Sequence, residues 1–344
     1  MGVKDEDVVE HMFLATTHSY LLVFTSIGKV HWIKGYQIPE GGRQASGRAM
    51  VNLLQFEENE TLTAILPIKK FDDVRRLFMV TRKGVSKMVM LSAFARPMAR
   101  GIIALKLDDG DELIGVKPIN GGEQVVIATR NGYAIRFPEG EVRVMGRTAR
   151  GVKAITFRDK NDEVIGMEVF SRKKDDDGEL HVAVVPSVDG DITVAAEAEA
   201  PIDEEIDEVV DEVIEDDIID DAPDGEAAPP VEDDGRYEGR LLTVSALGFG
   251  KKTDVNNYRV THRGGKGVIN LKIMEKTGEV LAIKRMFEGD ELMVVTTNGK
   301  VVRLSADSIR NTGRAASGVK LITLDGDDRL ISVVRIPSKE ETAD

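Results

Sequence analysis

An all-β, propeller-like array of about five similar units is the fold class this sequence predicts. Five times, a Gly in a tight-turn position is followed 17 or 19 residues later by a second Gly: Gly28 and Gly47, Gly84 and Gly101, Gly132 and Gly151, Gly248 and Gly267, Gly299 and Gly318. Three residues before each first Gly stands Thr25, Thr81, Thr129, Ser245 or Thr296, preceded by an apolar run such as LLVFT or VVIAT. Alternation of apolar and polar residues dominates, and helical periodicity is poor outside one acidic stretch. A unit of about fifty residues made of short strands cannot bury its own apolar face, so neighbouring units must stack.

The units read as 11–70, 71–121, 122–173, 236–288 and 289–337, with tails at 1–10 and 338–344. Each opens with a strand that ends in a two-residue turn; Asn131-Gly132 and Asn298-Gly299 are hairpin signals because both residues tolerate positive φ. An Arg/Gly-rich loop follows, then a strand such as GIIALKL, GVKAITF, GVINLKI or GVKLITL, alternating as a sheet with one covered face would. An acidic turn ends the pattern (Asp108–Asp111, Asp159–Glu163, Asp325–Asp328), which reads as turn chemistry. The expected architecture is about five four-stranded blades, 11–173 and 236–337, around an insertion at 174–235.

Composition narrows the function classes. The 344 residues include no Cys, which excludes disulfides and thiolate chemistry and suits a reducing, cytoplasmic setting. No apolar h-region or long apolar run is present, and Glu6 breaks the myristoylation pattern, so no membrane partner is expected. The net charge of −14 hides two bodies of opposite sign. Between Asp175 and Gly235 lie 25 acidic residues and no Lys or Arg, so the remainder carries 35 acids against 46 bases, a net of +11. That acidic, Pro- and Ala-containing stretch is too poor in large apolar groups to offset its ordering entropy, and disorder is expected there.

The densest motif is Tyr258-Arg259-Val260-Thr261-His262-Arg263-Gly264-Gly265-Lys266-Gly267. Its glycines let backbone approach a phosphate while Arg263 and Lys266 supply charge. It is not a nucleotide P-loop, since Val260 stands where Gly is needed and Gly267 where Ser or Thr is needed. Arg43, Arg48, Arg96, Arg100, Arg147, Arg150, Arg263, Lys266, Arg310 and Arg314 occupy equivalent loops of the five units. In a closed array such loops share one rim, and a band of bases on a curved edge suits a bent duplex. Lys251, Lys252, Arg259, Gly264, Gly265 and Gly267 complete the candidate DNA-binding set. The histidines His11, His18, His31, His181 and His262 make no metal spacing and read as surface or turn residues; Trp32 reads as packing. No catalytic constellation or cofactor fingerprint stands out, so neither catalysis nor a cofactor is expected of this chain.

Several strings resemble the C-terminal domain of the gyrase A protein of DNA gyrase: Tyr36-Gln37-Ile38-Pro39-Glu40, Ser46-Gly47-Arg48-Ala49-Met50-Val51-Asn52-Leu53-Leu54, Thr63-Ala64-Ile65-Leu66-Pro67, Asp109-Gly110-Asp111-Glu112-Leu113-Ile114-Gly115 and the RGGKG. The resemblance spans nearly the whole chain except the acidic insertion. It implies a β-pinwheel whose blades exchange strands, with double-stranded DNA wrapped around a basic perimeter. It also implies two partners, a gyrase A catalytic core and gyrase B, in an A2B2 complex near the nucleoid, with ATP and magnesium bound elsewhere in that enzyme. Such domains carry one more N-terminal blade holding a Gln-Arg-Arg-Gly-Gly-Lys-Gly box; this chain begins where that blade would end, as a fragment or split domain would. Segment 262–267 resembles the box but stands in a later unit, with His262 in place of Arg. The alternatives are the equivalent C-terminal domain of topoisomerase IV, bending DNA without a full wrap, and a non-catalytic propeller scaffold for proteins.

Overall fold

The computed structural model describes residues 15–41, 53–173 and 237–338; Arg43, Arg48, His11, His181, the tail 1–10, segment 174–235 and residues 339–344 lie outside them. The described residues form antiparallel sheets joined by short 3-10 turns, with no α-helix among them. Their nineteen strands run in order: β1 (Tyr20–Thr25), β2 (Lys29–Lys34), β3 (Leu62–Ile68), β4 (Arg76–Thr81), β5 (Val85–Met90), β6 (Ile102–Ile103), β7 (Leu113–Ile119), β8 (Gln124–Thr129), β9 (Tyr133–Pro138), β10 (Val152–Lys153), β11 (Val164–Phe170), β12 (Arg240–Ser245), β13 (Phe249–Asp254), β14 (Val268–Ile269), β15 (Val280–Met286), β16 (Glu291–Thr296), β17 (Val301–Ser305), β18 (Val319–Lys320) and β19 (Leu330–Ile336).

They make five blades, ordered β3-β1-β2-β6, β7-β4-β5-β10, β11-β8-β9-β14, β15-β12-β13-β18 and β19-β16-β17. The fourth strand of each of the first four blades comes from the following unit, so a blade and a sequence repeat do not coincide. β17 has no fourth strand among the described residues, and its side chains alternate between exposed and half-buried. The seven-residue strands pack in series, β3 on β7, β7 on β11, β11 on β15 and β15 on β19, and form the inner wall; the two-residue strands are outermost.

The hairpin tips show why the Ser/Thr and first Gly recur. Three residues, Arg130–Gly132, join β8 to β9; the Gly132 N–H donates to Thr129 O (3.1 Å) and the Tyr133 N–H to the Thr129 hydroxyl (3.3 Å). Gly132 has φ +81°, and a Cβ there would lie 2.4 Å from Leu271 O of the next unit. The expected two-residue Asn-Gly turn is therefore corrected to a three-residue loop with only its Gly left-handed, since neither Asn131 nor Asn298 has positive φ. The acidic turns dock on these tips: Asp111, Asp162 and Asp328 accept from the N–H groups of Lys83 (2.9 Å), Asn131 (2.9 Å) and Asn298 (3.1 Å).

Three further expectations are corrected. The GIIALKL-type runs supply only two strand residues each, because the partner strand begins at its hairpin Gly: past Ile103 the chain caps that tip, with the Ala104 and Leu105 N–H groups donating to Gly28 O. Strands inside the stack are covered on both faces: all six residues of β8 are buried between neighbouring blades, whereas β17 of the last blade keeps exposed positions. Phe78, Ile127, Phe137, Ile155 and Met167, drawn from two units, share one core. His31 is not a surface residue; it is 1 % exposed, with Nε2 3.3 Å from Glu60 Oε1.

Candidate nucleic-acid interface

Among the described residues, the Arg/Gly loops before Gly101, Gly151, Gly267 and Gly318 each immediately precede an exchanged strand, so the topology carries them to the perimeter. The second Gly makes that docking possible. Gly267, at φ +65°, would place a Cβ 2.7 Å from Ala134 O of the preceding blade. Only a residue without a side chain lets the loop backbone lie on β9 there.

Two base positions recur relative to that Gly. Four residues ahead of it, Arg147, Arg263 and Arg314 each donate Nη1 to the carbonyl of the second residue of the previous unit's exchanged strand: Ile103 O at 3.4 Å, Lys153 O at 3.2 Å and Ile269 O at 3.0 Å. These half-buried arginines link one perimeter loop to the next. Directly before the Gly, Arg100, Arg150 and Lys266 are exposed; Arg150 lies 3.5 Å from the Asp108 carboxylate. Arg96, Arg259 and Arg310 are also exposed.

The RGGKG segment is held rather than loose. Gly264 N–H donates to Ala154 O (2.7 Å), while Gly264 O and Gly265 O accept from the Thr156 hydroxyl (2.6 Å) and N–H (3.0 Å). Glu141 receives the Arg263 N–H (2.6 Å) and contacts His262 Nδ1 (2.6 Å), and the Arg263 Nε donates to Glu141 O (3.0 Å). Within Arg263–Gly267, Lys266 is the outward charge.

Lys251 is inside the blade, fully buried, rather than on the rim surface. Its Nζ donates to Gly313 O (2.9 Å) and to Arg314 O, and burial with the nearby Arg314 guanidinium pushes its pKa down to about 7. Lys252 is 4 % exposed and, with Arg240 and Arg310, faces Glu288 and Asp307 across a cavity of about 410 Å³. Burial lowers its pKa, with Asp307 opposing. Sequence reading missed Lys87, which repeats the Lys251 arrangement one blade pair earlier. It also missed the exposed perimeter residues Lys106 and Lys272; both stand five residues after a second Gly, a spacing that identifies them.

Comparison with known proteins fits this geometry. The family model for the DNA gyrase C-terminal domain, beta-propeller, matches residues 19–69, 75–120, 123–171, 239–285 and 290–337, one match per unit. The chain belongs to that family. It is 34 % identical to the DNA gyrase A protein of Haemophilus influenzae, covering 98 % of this chain and 34 % of that protein. It is 35 % identical to the Rickettsia conorii DNA gyrase A protein, covering 99 % and 36 %. The chain thus spans about a third of the length of the curated relatives it matches. Among solved structures it resembles the C-terminal domain of DNA topoisomerase IV (TM-score 0.69, 17 % identity, 94 % of this chain and 80 % of that one). It likewise resembles the DNA gyrase A C-terminal domain (TM-score 0.65, 20 % identity, 96 % and 90 %). At those identities the likeness speaks for the fold.

Proposed function

We propose that this domain binds duplex DNA without sequence preference, through phosphate contacts along its perimeter, and bends it toward a wrap. The observation that carries the reading is the recurrence of anchored basic loops at equivalent perimeter positions, each offering charge outward from a fixed backbone. Contacts of this kind read backbone rather than bases. In the role its family suggests, the domain serves a gyrase A catalytic core with gyrase B in an A2B2 enzyme, where wrapping supports ATP-dependent negative supercoiling. Catalysis and the ATP and magnesium sites are assigned to the rest of that enzyme, and the setting to the cytoplasm and nucleoid.

The test is binding to short duplexes of unrelated sequence as salt is raised. With six to ten phosphates engaged, affinity falls by roughly 10³–10⁵ between about 50 and 200 mM salt and is alike across sequences. A salt-insensitive or absent interaction would reject the reading and leave a protein-binding scaffold. A second reading, bending without a full wrap as in the C-terminal domain of topoisomerase IV, is favoured by uneven charge. The loops ahead of Gly151 and Gly267 carry both base positions, whereas Pro97 and Ser317 interrupt the pattern in the loops on either side.

A further inference from the structure

We propose that Lys87 and Lys251 are positioning residues for DNA binding: each fixes the backbone of the next unit's basic loop, and so sets where that loop's charges point. The inference rests on the DNA-binding reading and adds residues that need not touch DNA.

Lys87 and Lys251 are the third residues of β5 and β13, and both are fully buried. The Lys87 ammonium donates to Ala149 O and Ala104 O (both 3.0 Å) and to Arg147 O. Lys251 reaches the matching loop one blade pair on, through Gly313 O and Arg314 O. Both contacts fall on the loop residue whose guanidinium is the perimeter base, Arg147 or Arg314. Loop and strand are thus tied twice: the lysine holds the arginine's carbonyl from inside, and the arginine holds the neighbouring exchanged strand from outside.

The intervening seam is a natural control. There the same strand position is Ile135, whose Cδ1 lies under Gly265, and the loop is held instead by Arg263, Glu141 and Thr156. The exchanged strand still pairs, β14 on β9. An aliphatic side chain therefore suffices for the seam, and the ammonium adds loop placement. Burying an ammonium beside an arginine is unfavourable for folding alone, as the depressed pKa of both lysines reflects.

The experiment compares the full chain with Lys87→Ile and Lys251→Ile, singly and together, and with Lys87→Arg and Lys251→Arg. Wild-type duplex affinity is titrated against salt first, then each variant, with amide exchange in loops 143–150 and 310–317 as the second readout. The expected result is a cooperative fold in every variant, faster exchange confined to the affected loop, and roughly five- to ten-fold weaker duplex binding for the double Ile variant. Its salt slope becomes shallower by about one or two phosphates, and the Arg variants, which keep charge and donors, restore it. Unchanged loop exchange and salt slope in the Ile variants, with wild-type binding intact, would overturn this inference alone. No salt-dependent binding by wild type would overturn both it and the proposed function.

Discussion

Arg150 and Lys266 occupy the same place in successive units, directly before the second Gly and exposed. Replacing either by Ala should weaken binding alike for all duplex sequences and lower the salt slope by about one, as read from affinity at several salt concentrations. Arg263→Ala should cost more than charge, because its guanidinium ties Glu141 O and Lys153 O to the motif. The buried lysines give a pH signature. Their folded pKa of about 7 lies far below the ordinary lysine value of 10.5, so the unfolded chain binds more protons between those pH values. Stability contributed by these groups is therefore lowest below about pH 7 and rises with pH above it. Urea unfolding of wild type should gain stability from about pH 7 to 9.5 relative to the double Ile variant; parallel curves would contradict the burial argument. The exposed bases were legible in the sequence because the Gly spacing aligns them. Lys251 is expected from sequence to bind DNA, but it stands in β13 and reaches inward to the Gly313 and Arg314 carbonyls. A lysine that points inward toward carbonyls reads, in sequence, like one that points out.

Glycine placement governs the blades as elements. The second Gly of each seam lies against the preceding blade's second strand, and Gly267 combines a left-handed φ with a carbonyl 2.7 Å from any Cβ. Gly267→Ala should destabilise by roughly 2–3 kcal/mol, measured by denaturant unfolding, and should also loosen the β14–β9 pairing. Gly146→Ala is the matched control, since nothing lies within 4 Å of its Cβ site. Strand, turn and loop order within a unit was readable from period and turn chemistry. The exchange of the fourth strand followed from family resemblance rather than from periodicity, because a repeat marks what recurs but not which copy pairs with which. The expectation of one covered face failed for the same reason: β8 is sandwiched between blades, and Ala, Val and Ile fill both sides. His31 escaped because a single polar residue inside an apolar strand gives no sign of a buried Glu60 partner 29 residues away.

For the whole molecule, charge separation sets the behaviour. Outside residues 175–235 the chain carries a net +11, while that segment holds 25 acids. Its flanks are already joined by a bridge between Arg172 and Tyr237, so a short connection can replace it. Deleting 176–234 should tighten duplex binding at low salt if the tethered acids compete for the perimeter; equal affinity would mean they only add solubility. Bending duplex tightly costs several kcal/mol by elastic estimates, which the perimeter contacts must offset. The most direct measurement relaxes closed plasmid with topoisomerase I in the presence of increasing protein, then deproteinises it and resolves the topoisomers. Chiral wrapping around the basic perimeter predicts a linking-number shift that grows with protein and disappears at high salt. A topoisomer distribution identical to the protein-free control at every concentration would contradict it.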